Sequence, residues 1–362
     1  MSLEFLHTTL GQRVLFGSGK ASQHLVEEVE RLGAKRIMVI ASGFEAQMAR
    51  EVAADIDVAL WHHEVVMHVP LDVAQRARQT AADNEIDLLV CVGGGSTTGL
   101  AKAVAMTTAL PIVAVPTTYA GSEATNVWGL TEDEFKRTGV DDKVLPVTVI
   151  YDAQLTLSLP VELSIASGLN GMAHCIDSMW GPRVDPINMA LSAEGIRALA
   201  SGLSRITKDP LDLDGREQAL YGAYLSAVAF ASAGSGIHHK ICHVLGGTFN
   251  LPHAQTHATV LPYVLAFNAA AAPEAAERIA AALGSDDALD GLQKLRAQLD
   301  APKALADYGF TEADIPLAVS TVLPLIPANN PQAPTEENLT ALLSAALRGE
   351  DPATLFTPVL NG

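Results

Sequence analysis

The sequence predicts a parallel α/β sheet with helices packed on it in the first part of the chain, followed by an all-helical second part. Short apolar, β-branched runs alternate with helical patterns up to about residue 150, and strand-like patterning does not return after that. The chain's 362 residues also exceed what one ordinary core encloses, so two domains are expected, 1–152 and 153–362.

The first part reads as three helix–strand pairs. A helical pattern at 22–32 leads into the strand 36–41 (RIMVIA), one at 73–82 into 87–92 (DLLVCV), and one at 96–107 into 111–115 (PIVAV). Residues 126–130 and 145–150 are strand-like on either side of polar turn material at 131–134, and this stretch reads as a hairpin excursion. Beyond 152, helices are expected at 166–180, 188–203, 216–228, 237–245, 273–283, 288–299 and 336–347. Thr335 is a fitting start signal for the last of these, and Gly284 a fitting stop after Leu283. No internal repeat or low-complexity linker interrupts the pattern.

Composition excludes several classes of function. With 49% hydrophobic residues the chain has ample apolar material for burial. The formal net charge is −18 and no basic stripe is visible, so nucleic-acid binding is not expected. No charge-free run is long enough for a membrane helix; residues 101–115 are broken by Lys102, Thr107, Thr108 and Pro111. The N-terminus carries Glu4 and no signal pattern. Cys91, Cys175 and Cys242 are odd in number and each sits in an apolar stretch, as buried thiols in a reducing compartment do, which points to the cytoplasm. An acidic surface repels small anions, so an anionic substrate would need a local cluster of bases.

Gly93-Gly94-Gly95-Ser96 lies directly between a predicted strand and a predicted helix. Three glycines allow a tight turn and close approach to a pyrophosphate, the helix start offers free N–H groups, and Ser96 suits the N-cap. The spacing is not GxGxxG, so this loop alone also fits a purely structural turn. The next strand ends in Pro116-Thr117-Thr118-Tyr119-Ala120-Gly121-Ser122-Glu123. Ligands of open parallel sheets bind at the carboxyl ends of strands, so two such loops would line one crevice. The hydroxyls of Thr117, Thr118 and Ser122 suit ribose and carboxamide groups.

His239 and His243 stand four apart on one helix face, with His238 and Lys240 beside them. His253 follows a break at Gly246-Gly247, in a loop, and His174 lies four residues after Asn170 on an earlier helix. Two such pairs and a loop residue can converge on one point. That suits a metal site, and equally a metal-free anion and proton-transfer site.

Together these segments resemble the iron-containing alcohol dehydrogenase superfamily over essentially the whole chain. The closer resemblance is to the maleylacetate reductase family. It is carried by Gly93–Lys102 (GGGSTTGLAK), with Gly99 where metal-dependent relatives usually have Asp, by 116–123 (PTTYAGSE), by 170–174 (NGMAH) and by 238–257 (HHKICHVLGGTFNLPHAQTH).

The resemblance implies a Rossmann-like domain followed by a helical domain, and reduction of the carbon–carbon double bond of maleylacetate, a small dicarboxylate, to 3-oxoadipate in aromatic-compound degradation. It implies NADH or NADPH as cofactor, held by Ser42, Gly93, Gly94, Gly95, Ser96, Thr117, Thr118, Ser122 and Lys136. His243 and His239 would polarise the substrate and deliver a proton, with His174 and His253 completing the pocket and Lys240 anchoring a carboxylate. A homodimer is expected from the family alone.

Three departures matter. Asn170 stands where metal-binding relatives place Asp. The lost charge is worth roughly 4 kcal/mol beside a divalent cation at an effective dielectric of about 20, so no metal is expected. Ser42 stands where NAD-specific relatives carry Asp, so both cofactors should be admissible. Gln332 replaces a frequent Arg. The rival readings are a metal-dependent alcohol dehydrogenase, a lyase resembling dehydroquinate synthase, and an idle dinucleotide-binding sensor.

Overall fold

The computed structural model describes residues 4–132 and 135–355, with the backbone alone at 135 and 136. Its described residues form two compact units, one built from 9–160 with 210–220, the other from 4–8 with 161–209 and 221–355.

The first unit runs β1 (Arg13–Phe16), α1 (Ala21–Leu32), β2 (Ile37–Ile40), α2 (Ala46–Val52), β3 (Val58–His62), α3 (Leu71–Asp83), β4 (Leu88–Gly93), α4 (Gly95–Thr108), β5 (Ile112–Pro116), β6 (Val127–Glu132), β7 (Phe135–Val140) and β8 (Thr148–Tyr151). Six strands form one all-parallel sheet in the order β1-β8-β5-β4-β2-β3. Successive residues of a strand point to opposite faces, and both faces are covered. Met38, Ile40, Leu89, Cys91 and Ala114 pack with α3 and α4 on one side, while Val39, Val90, Val92, Val113 and Val115 pack with α1 and α2 on the other. This is why these strands read as unbroken apolar runs.

The hairpin differs from its expected form. Its second strand is β7, paired antiparallel with β6, while 148–151 leave the excursion and enter the main sheet between β1 and β5. The segment 145–150 is apolar because it is buried in that sheet, whereas Phe135–Val140 (FKRTGV) is polar enough to pass for a turn. The helix at 96–107 begins one residue earlier, with Gly94 as its N-cap, so Ser96 lies inside the helix and caps nothing.

Asp152, where the sequence change is sharpest, still belongs to the first unit. Its carboxylate accepts from the Gly19 and Ala21 N–H groups and from Gln154 N–H, and the compact unit continues to Pro160.

The remaining helices are α5 (Val161–Ser178), α6 (Pro186–Lys208), α7 (Leu213–Ala233), α8 (Ile237–Phe249), α9 (His253–Ala269), α10 (Pro273–Leu283), α11 (Ala288–Gln298), α12 (Ile315–Val322) and α13 (Glu336–Arg348). In the second unit, α5 packs on α6 and α9, and α8 packs on α9. Helix α8 runs straight through Gly246 and Gly247 and stops only at Asn250, which takes the left-handed conformation at φ 54°. His253 is accordingly the first residue of α9 rather than a loop residue.

No single described helix is long and apolar enough to cross a membrane. The pair α7 and α8 passes on length and composition, but it is bent by 100° and α8 carries the buried histidines.

Candidate functional site

In the sheet unit, strands β2, β4 and β5 lie side by side, so the loops after them adjoin. Gly93 sits at φ 153°, and a Cβ there would fall 2.5 Å from Thr97 Oγ1 and 2.7 Å from Glu45 Oε2, so only glycine fits. The Thr117 N–H donates to the Gly93 carbonyl at 3.2 Å and ties the second loop to the first. The structure thus brings Ser42, Gly93, Gly94, Thr117 and Thr118 together, with Gly95 and Ser96 in the first turn of α4. Gly99 faces Val69, whose Cγ2 would lie 3.0 Å from an added Cβ.

Glu45 went unnoticed in the sequence reading. Its Oε1 accepts from Gly94 N–H at 3.2 Å and from the Thr117 hydroxyl at 3.0 Å, and its Oε2 from the Ser42 hydroxyl at 2.8 Å.

The Ser122 loop is held from below. Lys102, fully buried, donates from Nζ to the carbonyls of Ser122, Thr125 and Val127 at 2.6, 2.8 and 2.8 Å. The side chain of Lys136 lies outside the described residues.

In the helical unit the imidazoles do converge. The ring centroid of His239 lies 4.8 Å from His174, 5.9 Å from His243 and 4.9 Å from His257, and that of His253 lies 4.3 Å from His257. His174, His238, His239 and His257 are buried, while His243 and His253 are half-buried, so the cluster is graded in exposure. Phe230 closes one side, 4.3 Å from the His239 ring. Lys240 is half-buried, and its ammonium makes no hydrogen bond or ion pair among the described residues.

Asp177, on α5, organises the cluster. It accepts backbone N–H bonds from Gly236 (2.8 Å) and His238 (3.2 Å) at the start of α8, and it accepts from His239 Nδ1 at 2.7 Å. The last bond fixes the His239 tautomer and leaves the Nε2 lone pair free. Behind it, His238 Nε2 and His257 Nδ1 share a 3.0 Å hydrogen bond, with the Cys242 sulfur 3.6 Å away. The signals available in the sequence were an acid in an otherwise apolar stretch, three residues after His174, and a histidine four residues after His253.

Burial keeps these rings neutral. It pushes His174 down to about 4 and His238 to about 3, and it pulls His239 and His257 well below their ordinary range, with neighbouring imidazoles adding to the effect in all but His174. Burial also pushes Asp177 up to about 6, against the pull of its N–H donors, so it stays ionised near neutrality. Asn170 Oδ1, His174 Nδ1 and His239 Nε2 are buried without hydrogen-bond partners.

A parallel sheet with a glycine-rich loop after one of its central strands and a helical unit with a buried histidine centre are the architecture of an oxidoreductase. Models of the iron-containing alcohol dehydrogenase family match residues 11–153 and, for its C-terminal part, 164–347, and the chain belongs to that family. It is 44% identical over 355 residues to the maleylacetate reductase of Sphingobium indicum, covering 97% of this chain and 100% of that one. An iron-containing alcohol dehydrogenase from Corynebacterium glutamicum superposes with a TM-score of 0.97 at 68% identity, covering 98% of this chain and 100% of that one. The maleylacetate reductase of Rhizobium sp. strain MTP-10005 gives 0.90 at 39% identity, covering 96% and 99%.

Membership corrects one expectation. The family is an iron-containing one, which overturns the reading that no metal is expected. The residue types suit such an ion, because Asn170 Oδ1, His174 Nδ1 and His239 Nε2 are buried polar atoms without partners and the imidazoles are neutral, while the ligand-type atoms that already lie within 4.8 Å of one another among the described residues are those of His238, Cys242 and His257. Weighing Asn170 alone missed Asp177, which places a buried carboxylate one ring behind the candidate ligand His239.

Proposed function

We propose that the protein is an NAD(P)H-dependent maleylacetate reductase that converts maleylacetate to 3-oxoadipate during aromatic-compound degradation. The observation that carries this reading is the buried, neutral imidazole cluster oriented by Asp177, in a chain that matches maleylacetate reductases along nearly its whole length.

In this reading the sheet unit holds the dinucleotide and the helical unit carries the chemistry. Asn170, His174, His239 and His253 would hold a divalent ion. When bound, the nicotinamide supplies a hydride to the alkene carbon β to the ketone, and the ion supplies Lewis acidity.

The chain's own residues do the rest. Glycines 93–95 and the hydroxyls of Thr117, Thr118 and Ser122 bind and orient the nucleotide. Asp177 holds His239 with Nε2 presented and Nδ1 protonated. His243, half-buried at the outer edge of the cluster, delivers the proton to the carbon α to the ketone. Lys240 anchors a substrate carboxylate, and Phe230 excludes water from the His174 and His239 faces.

Three buried free thiols support a cytoplasmic setting, and a homodimer follows from the family resemblance. The test is a mixing experiment: purified protein, maleylacetate and reduced nucleotide should lose nucleotide absorbance and yield 3-oxoadipate one for one. Oxidation of small alcohols without turnover of maleylacetate would overturn the proposal.

A further inference from the structure

The end of β2 carries no charge, because Ser42 stands where an acid would recognise a ribose hydroxyl. The carboxylate is nevertheless present. Ile40 of β2 pairs with Cys91 of β4, so the loop Ser42-Gly43-Phe44-Glu45 adjoins the glycine turn. Glu45 folds back onto it, gripped by the Ser42 hydroxyl, Gly94 N–H and the Thr117 hydroxyl.

These three donors come from the loops after three neighbouring strands, so the carboxylate is fixed in place. A fourth donor, the Thr97 hydroxyl, stands 3.5 Å from Oε2, at the outer edge of hydrogen-bonding range, so Oε2 is the less tightly engaged oxygen and the one placed to take a further hydroxyl. On the same loop Phe44 is 89% exposed, an unpacked ring beside the place where the base half of a nucleotide would lie.

We infer that Glu45 makes this nucleotide site prefer NADH to NADPH. In dinucleotide folds an acid at the end of a neighbouring strand accepts from the ribose 2′-hydroxyl and rejects a 2′-phosphate. Here the acid sits three residues further on, swung back by Ser42. The inference rests on the dinucleotide reading of the glycine loop given above.

The experiment titrates the full-length protein with NADH and with NADPH, no substrate present, and reads Kd from the change in nucleotide fluorescence. Wild type should bind NADH at least about tenfold more tightly than NADPH, because like charges a few ångströms apart repel by this order. Glu45→Gln should collapse that ratio, mainly through tighter NADPH binding. Glu45→Asp, with the charge retained, should keep the NADH preference, and melting curves would verify that both variants fold.

An unchanged ratio in Glu45→Gln would overturn the inference. Equal tightening of both nucleotides would overturn it too, since Glu45 would then be standing in the place of the shared pyrophosphate. A wild type that binds neither nucleotide would overturn the dinucleotide reading itself.

Discussion

The Asp177 carboxylate accepts the Nδ1 proton of His239 at 2.7 Å, and the same two oxygens take backbone N–H groups at the start of α8. One side chain therefore sets both the entry of the helix and the tautomer of its central imidazole. Asp177→Asn removes the charge and keeps the size. It should weaken binding of a divalent ion by about 10–100-fold, as loss of such supporting groups does. Competition for the metal against a chromophoric chelator measures this, and unchanged affinity would refute the orienting role.

Removal of the ion is the direct companion test. Asn170 Oδ1, His174 Nδ1 and His239 Nε2 are buried acceptors without partners, a costly arrangement unless something fills it. Protein stripped by a strong chelator should lose reductase activity and regain it with Fe²⁺ or Zn²⁺. Full activity in protein shown by elemental analysis to hold no metal would contradict the family-based correction.

His243 lies 5.9 Å from His239, ring to ring, at the half-exposed side of the cluster. A proton donor working in the transition state contributes typically 10²–10⁴-fold. His243→Ala should therefore lower kcat by about 100-fold or more with little change in KM. Steady-state kinetics separate the two, and a pure KM effect would place His243 in binding alone.

Much of this was legible because burial imposes periodicity. The runs at 88–92 and 112–115 are apolar throughout since both faces of their strands are covered, and Thr335 and Gly284 cap and stop helices as their chemistry suggests. The family resemblance drawn from the glycine loop and the histidine stretch is borne out by relatives of nearly full length.

Other features depend on tertiary placement that local sequence does not carry. Helix α9 was missed because Pro262 sits in its middle, a residue that normally argues against a helix interior. Strand β7 is stabilised by its partner β6 rather than by an apolar face of its own. Asp177 and Glu45 became visible only when the chain brought their carboxylates to His239 and Gly94.

Lys102 supports the Ser122 loop from beneath, with three backbone carbonyls and the Thr125 hydroxyl around its ammonium. Lys102→Met fills the space but takes a donor from the carbonyls of Thr125 and Val127, at about 1–3 kcal/mol for each buried group, while the Ser122 carbonyl keeps the Thr125 N–H and hydroxyl. The variant should be destabilised by about 2 kcal/mol or more in urea unfolding. It should also bind reduced nucleotide less tightly, because the Ser122 turn loses its anchor. Wild-type stability would show that the loop holds itself.

Glu28 allows a test in which pH decides the sign. Its side chain is 1% exposed and accepts from Arg31 at 2.7 Å, Thr148 at 2.6 Å and Arg13 at 3.1 Å, joining α1 to β8 and β1. Burial alone would raise its carboxyl, but the bonds from Arg31, Thr148 and Arg13 outweigh it and hold it below the ordinary 4.5. The unfolded chain therefore takes up this proton first as pH falls. The contribution of Glu28 is complete above that ordinary value and is lost as pH drops through the lower folded value. Glu28→Gln should cost about 1–2 kcal/mol near neutral pH, at the low end for charge-assisted bonds because both arginines are partly exposed. The gap between wild-type and variant urea midpoints should narrow steadily as the pH is brought down to about 3. A gap that is constant with pH would mean the variant acts through packing rather than through the charge.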